Sequence, residues 1–264
     1  MRKIHFVTFG SSEFTITLER IFAEAYHSGF FDELHKFTSA DLPEDLIEYC
    51  ESNKKGYGFY IWKPYLVNEL INKLPDNDII VWVDCGSSIY KSGKERFDEY
   101  IKLVDESDYA NLGFEGWSEH YETTYGKKQI FEVLDAEKFL KLKGGGLGLM
   151  GGVFIIRNTK YTREIVKLWK DTCFNHKYLL DDSPEPHNGK INWDNRCDQP
   201  IWSVIRKKYG CVIIPHPIPN YIRPLDTDFF SELDEEIVPK HGTIEWELKK
   251  KDRKIPIMTT RYRF

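Results

Sequence analysis

Five consecutive apolar residues, Ile79-Ile80-Val81-Trp82-Val83, stand between the turn-forming Pro75-Asp76-Asn77-Asp78 and the short Asp84-Cys85-Gly86. Their length and β-branching predict a strand buried on both faces, which needs helices above and below the sheet that contains it. That requirement points to an α/β fold. In such sheets ligands bind beyond the carboxyl ends of the strands, so Asp84 stands where a ligand would be met.

The rest of the chain supplies the partners. Ile4–Phe9 is a second β-rich run, closed by Gly10-Ser11-Ser12, and helical spacing follows over residues 16–26. A strand is predicted over Glu33–Phe37, then a short helix opened by Pro43 and ending near Cys50. Pro64 is predicted to start another helix, running to about Leu74. Further on the pattern gives a helix after Ser92, strands near residues 109–112 and over 153–156, helices over 161–175 and 199–208, and a last strand over 211–214. The alternation predicts a mostly parallel central sheet with helices on both faces. Residues 115–124 and 180–195 read as long functional loops, and Gly144-Gly145-Gly146-Leu147-Gly148 as a mobile one, since it lacks the lysine and hydroxyl of a phosphate loop.

Charge narrows the partners. With 37 basic and 42 acidic residues the chain lacks the broad positive field that follows a nucleic-acid backbone. Five scattered cysteines form no metal-like spacing and read as reduced thiols. No apolar stretch is long enough to span a membrane, and no signal sequence precedes the first strand. The expectation is a cytoplasmic protein, bacterial or in the cytoplasm of a virus-infected host, or else a chain lacking its anchor. Aromatic residues reach 15% of the chain, which suits a site that stacks flat rings or sugar faces. The late basic run Lys249 to Lys254 reads as a solvated tail.

Several residues could carry chemistry. Asp84, at a strand exit, could give an oxygen to a divalent cation on a diphosphate, or cap the turn. Lys63 ends the glycine-spaced aromatic segment Gly56-Tyr57-Gly58-Phe59-Tyr60-Ile61-Trp62-Lys63, where a cation at a helix start suits phosphate oxygens and the rings could wall a base or sugar pocket. Asp198 could serve as general base or stabilise an oxocarbenium charge, or it could cap the helix that follows. Gly151 and Gly152 allow the backbone close to a ligand. Trp117, His120, Tyr121 and Trp193 lie in the long loops, where an acceptor could stack. His216, between two prolines, could be a metal ligand or a turn residue.

The order of these features resembles the glycosyltransferases of the GT-A fold, above all small bacterial and viral members that read Gly-x-Gly-x-x-x-Trp-Lys-Pro, then a helix, then a strand ending in an Asp-containing turn. Here those positions are Gly56, Gly58, Trp62, Lys63, Pro64 and Asp84. The strand from Met150 through Gly151 and Gly152 is similar to the one lining the family's sugar pocket, and Asp198-Gln199 to its later acidic motif. Enzymes of large algal viruses that glycosylate capsid protein are also similar.

The resemblance implies a single GT-A-like domain over 1–264, with 1–110 as the nucleotide-binding half and 111–264 as the acceptor side. It implies a nucleotide-sugar donor, UDP-linked in preference to GDP or dTDP, and a glycan or glycoprotein acceptor. The nucleotide is expected at Thr8, Phe9, Gly10, Asp41, Lys63 and Asp84, and the sugar or acceptor at Gly151, Gly152, Gln199, Trp117 and His120. Asp198 is the expected catalytic carboxylate, and Asp-Gln before a helix leans to retention. A divalent cation, Mn2+ before Mg2+, is expected on Asp84, completed by His216. The chain departs from the family at one point: Asp84-Cys85-Gly86 lacks the second carboxylate of the Asp-x-Asp motif. Two other readings stand beside this one, a carbohydrate-binding protein without catalysis and a sugar nucleotidyltransferase, although Gly10-Ser11-Ser12-Glu13 lacks the basic loop expected of the latter.

Overall fold

The computed structural model describes residues 2–116, 120–181, 186–187, 190–191, 195–214, 220–221 and 256–260. Six strands build the main sheet: β1 (Ile4–Phe9), β2 (Glu33–Phe37), β3 (Ile79–Val83), β4 (Asn111–Glu115), β5 (Leu149–Arg157) and β6 (Val212–Ile214). Their order across the sheet is β2-β1-β3-β5-β4-β6. The pairs β1–β2, β1–β3 and β4–β6 are parallel, while β5 runs antiparallel to both β3 and β4. The sheet is therefore mixed and mostly parallel, with one reversed strand beside β3.

Six longer helices cover the two faces: α1 (Thr15–Ser28), α2 (Glu44–Ser52), α3 (Trp62–Ile71), α4 (Lys94–Glu106), α5 (Lys160–Asn175) and α6 (Asp198–Tyr209). The alternation of each strand decides which face each residue serves. Val7, Phe9, Ile80, Trp82, Phe154 and Ile156 face α2, α3, α5 and α6 in one buried cluster. Phe6, Val81, Val83, Phe114 and Ile155 face α1 and α4 in the other. Both faces of β3 are thus dry, and all five of its residues are buried.

Three strand predictions, over β1, β2 and β3, match the observed bounds. α3 begins at Trp62 rather than Pro64. Pro64 still lies in the first turn, where its missing N–H leaves no intrahelical bond unmade. The Gly144 to Gly148 run is held rather than loose: Gly148 N–H donates to His120 O at 2.6 Å, Gly116 N–H to Gly148 O at 2.7 Å and Glu122 N–H to Gly146 O at 3.0 Å.

Before α3 the backbone turns through five successive residues of positive φ, Gly56 at 56°, Tyr57 at 49°, Gly58 at 82°, Phe59 at 56° and Tyr60 at 62°. Left-handed backbone is ordinary for glycine and costs about 1–2 kcal/mol per residue otherwise. Tyr57, Phe59 and Tyr60 bear that cost in a turn leading directly to Lys63. Gly58 has no alternative, since a Cβ there would meet Cys50 Sγ at 2.5 Å and Cys50 Cα at 2.9 Å.

Candidate active site

The carboxyl ends of β1 and β3, with the glycines of β5, bring Lys63, Asp84, Gly151, Gly152 and Asp198 into one neighbourhood. Asp84 directly follows β3, and its N–H donates to Gly152 O across the β3–β5 pair at 2.8 Å. Its Oδ1 accepts from Trp82 Nε1 at 2.7 Å and pairs with Lys63 Nζ at 2.9 Å. Trp82 lies two residues earlier, so strand alternation puts its indole on the same side as the carboxylate. Oδ2 faces Gly152: a Cβ on that glycine would stand 3.0 Å from it. The glycine keeps this oxygen open.

Lys63 is buried, with a side chain only 3% exposed. Its ammonium also donates to Gly151 O at 3.1 Å. The rings of Tyr60, Trp62 and Trp82 surround it at 5.4, 5.7 and 5.6 Å. Burial alone would lower its pKa, but the carboxylates of Asp84 and Asp198 outweigh that and raise it. The lysine expected to meet phosphate oxygens directly is, in this structure, a buried cation that orients Asp84.

Asp198 is the first residue of α6, not its cap: Cys197 holds the cap position with φ 56° and ψ −113°. The Asp198 side chain is buried, and its Oδ2 has no hydrogen-bond partner among the described residues. Burial pushes its carboxyl up, with Lys63 opposing and Asp84 adding to the rise, to about 7. A carboxyl with a pKa near neutrality can take and return a proton at physiological pH. Arg206, fully buried on the same helix, is lowered by burial to about 10 and also acts on Asp198.

Gln199 packs on Gly151, where a Cβ would come within 3.0 Å of Gln199 Cβ. Its side-chain Nε2 lies 3.0 Å from His120 Nε2. An amide nitrogen only donates, so His120 accepts at Nε2 and carries its proton on Nδ1. The His120 ring stacks on Tyr125 at 4.3 Å.

The remaining sequence candidates are placed less directly. Phe9 is buried and stacks on Trp62, 3.9 Å between centroids. Thr8 is buried with its hydroxyl unpartnered among the described residues. A Cβ on Gly10 would meet Leu18 Cβ at 3.0 Å, so this glycine admits α1 close to the strand. Asp41 is exposed, and its carboxylate accepts from Thr38 N–H at 2.7 Å in a local cap. Trp117, Trp193, His216 and the basic run 249–254 lie outside the described residues.

A divalent cation finds little here among the described residues. One oxygen of Asp84 is taken by the indole and the ammonium, and the positive charge of Lys63 stands 2.9 Å from the same carboxylate. The described residues therefore do not fit a divalent centre at Asp84, which needs several oxygen or nitrogen donors. Trp82, Tyr60 and Cys197 are the neighbours that sequence reasoning passed over. The i, i+2 relation of Trp82 to Asp84 is the one signal in the sequence that could have exposed any of them.

No helix among the described residues is long and apolar enough to cross a membrane. No family model matches the chain, and no curated protein does. The structural matches are to glycosyltransferases of the GT-A type. One is a glycosyltransferase involved in glycosylating the major capsid of PBCV-1, at 12% identity over 83% of this chain and 85% of that one, TM-score 0.46. The galactosyltransferase LgtC, solved with donor and acceptor sugar analogues, matches at 12% identity over 98% and 86%, TM-score 0.45. Mouse xyloside xylosyltransferase 1 in its apo form matches at 12% identity over 98% and 97%, TM-score 0.46.

Proposed function

We propose that this chain is a glycosyltransferase that moves a sugar from a nucleotide diphosphate, UDP in preference, to a hydroxyl of a glycan or glycoprotein. The observation that carries the reading is the grouping of Asp84, Lys63 and Asp198 at the strand ends, opened by Gly151 and Gly152. The motif order from Gly56 to Asp198 supports the same reading.

The chemistry assigned to the residues follows from their surroundings. Lys63 fixes Asp84 so that its free oxygen faces the space above Gly152. Gly151 and Gly152 let a sugar lie against backbone. The Asp198 carboxyl, near neutral pKa and with an open oxygen, either accepts the proton of the attacking hydroxyl or stands beside the developing positive charge of the sugar. The acceptor hydroxyl bonds to the anomeric carbon as the diphosphate leaves. Gln199 and His120, hydrogen-bonded to each other, border the acceptor side. The nucleotide is assigned to the ends of β1 and β2, near Phe9 and Asp41. Use of Mn2+ before Mg2+ belongs to this reading through His216.

The test is release of free nucleotide from UDP-, GDP- and dTDP-sugars by the purified chain, with and without Mn2+ and EDTA, alongside Asp84→Asn and Asp198→Asn. Release from one nucleotide class, lost in both variants, supports the proposal. Sugar binding without nucleotide release points to a binding protein. Pyrophosphate formed from a nucleoside triphosphate and a sugar phosphate points to a nucleotidyltransferase.

A further inference from the structure

At the opposite end of the sheet from Asp84, where β1 and β3 begin, four side chains converge. β1 and β2 pair in parallel with His5 opposite Glu33 and Val7 opposite His35, so alternation puts His5, Glu33 and His35 on one face. His5 Nδ1 lies 2.9 Å from His35 Nε2 and 3.5 Å from Glu33 Oε2. One ligand atom from each of these residues falls within 4.8 Å of the others. The other nitrogen of His5, Nε2, lies 3.0 Å from Oδ2 of Asp78, the residue before β3.

The orientation of His5 follows from Asp78. His5 is 1% exposed and Asp78 3%. The Asp78 carboxylate also accepts from Lys3 N–H at 2.8 Å. An ionised carboxylate accepts only, so the His5 proton sits on Nε2, and Nδ1 presents a lone pair toward His35 and Glu33. A carboxylate that orients a histidine from behind is how proteins prepare an imidazole for a metal ion. Glu33 is arranged compatibly: Lys3 Nζ pairs with its Oε1, which leaves Oε2 on the His5 side.

We propose that His5 Nδ1, His35 Nε2 and Glu33 Oε2 bind a divalent transition-metal ion, Zn(II), with Asp78 orienting His5 and water in the fourth position. Two imidazoles and one carboxylate are a borderline donor set, suited to Zn(II) rather than to Mg2+ or Ca2+. Zinc–nitrogen and zinc–oxygen bonds of about 2.0–2.2 Å in a tetrahedral site separate neighbouring donors by roughly 3.2–3.5 Å. The His5–Glu33 separation already has that value. The His5–His35 pair must open by a few tenths of an ångström, and His35 is only half-buried, so its ring has room. The ion would tie edge strand β2 to β1 and, through Asp78, to the start of β3.

This inference does not depend on the proposed transfer reaction. It is tested on the full untagged chain, stripped with EDTA, by equilibrium dialysis against Zn(II) with metal analysis and by the visible absorption of the Co(II)-substituted protein. The variants are His35→Gln, at the half-buried ligand, and Glu33→Gln, with folding checked by circular dichroism. The expected result is one ion per chain in the wild type, a four-coordinate Co(II) spectrum, and at least ten-fold weaker binding in both variants. Asp84→Asn and Asp198→Asn should bind zinc as the wild type does. No stoichiometric zinc in the wild type, or zinc held equally by His35→Gln, overturns the assignment. Nucleotide release from sugar donors is read separately, so failure of one proposal leaves the other standing.

Discussion

Asp84 Oδ1 lies 2.9 Å from Lys63 Nζ, and this pair joins the start of α3 to the end of β3 inside the candidate site. The lysine is buried and the aspartate side chain is 36% exposed, so the two ends of the pair differ in what their loss would do. Removing the ammonium leaves a carboxylate that water can still reach. Removing the carboxylate leaves a buried cation with only Gly151 O and aromatic faces.

Lys63→Met is therefore expected to destabilise the chain by about 1–3 kcal/mol, below the usual cost of breaking a fully buried pair because Asp84 is partly solvated. Urea unfolding at neutral pH measures this. Asp84→Asn should cost at least as much, and the double variant less than the sum of the singles, because the two groups act on each other. Strict additivity would show that the pair seen here has no energetic coupling.

The raised Asp198 carboxyl makes a pH prediction with a definite sign. A carboxyl at about 7 in the folded chain and roughly 3.9 unfolded binds more protons when folded over that interval. Its contribution is thus fully present below about pH 4 and is lost as pH rises through 7. Asp198→Asn should remove that loss, leaving the variant on the order of 2 kcal/mol more stable than wild type at pH 8 and close to it at pH 5. If Asp198 works as an ionised group, the kcat/KM of the wild type should rise through a pH near 7, and Lys63→Met should move that midpoint upward, since Lys63 holds the value down. Denaturation curves and a pH–rate profile check both; a variant less stable than wild type at pH 8 would sink the account.

How much of this was legible in the sequence depends on whether the cause is local. β3 and the exit position of Asp84 could be read because a buried strand announces itself by composition. The burial of Lys63 could not: its partner arrives from another strand, and a lysine at a helix start looks solvated when read along the chain. The reversal of β5 is equally silent, because strand direction leaves no mark on hydrophobic alternation. Glycines 56 and 58 did signal an unusual turn, but left-handed Tyr57, Phe59 and Tyr60 run against their own preferences and are held there by packing. The meeting of His5 with His35 rests on the register of β1 against β2, which the spacing within either strand does not contain.

Gly152 gives a cleaner separation of fold from function. Its φ is not in the left-handed region, so alanine is acceptable to the backbone. The added methyl would lie 3.0 Å from Asp84 Oδ2, on the one side of that carboxylate left open. Gly152→Ala should change stability by less than about 1 kcal/mol while lowering sugar-donor turnover at least ten-fold. Thermal unfolding and nucleotide release together decide it. Full turnover in a well-folded Gly152→Ala would show that the open oxygen of Asp84 plays no part.

Gly58→Ala should do the reverse and strike the fold first. At φ 82° an alanine is strained by its backbone alone, and its methyl would press on Cys50 Sγ at 2.5 Å and on Cys50 Cα at 2.9 Å. The sulfur can shift, but the Cα belongs to α2, so relief requires moving the helix or unwinding the Gly56 to Tyr60 turn. The expected loss is about 2–4 kcal/mol, from left-handed strain and overpacking together. Because that turn leads into Trp62 and Lys63, any folded fraction should also show weaker quenching of Trp62 by its close stacking on Phe9 and altered near-ultraviolet dichroism. Comparing Gly58→Ala with Gly58→Ala combined with Cys50→Ala isolates the two causes: recovery of part of the stability assigns that part to the clash, and the remainder to the backbone. A Gly58→Ala chain as stable as wild type would mean that the left-handed turn is not what positions Lys63.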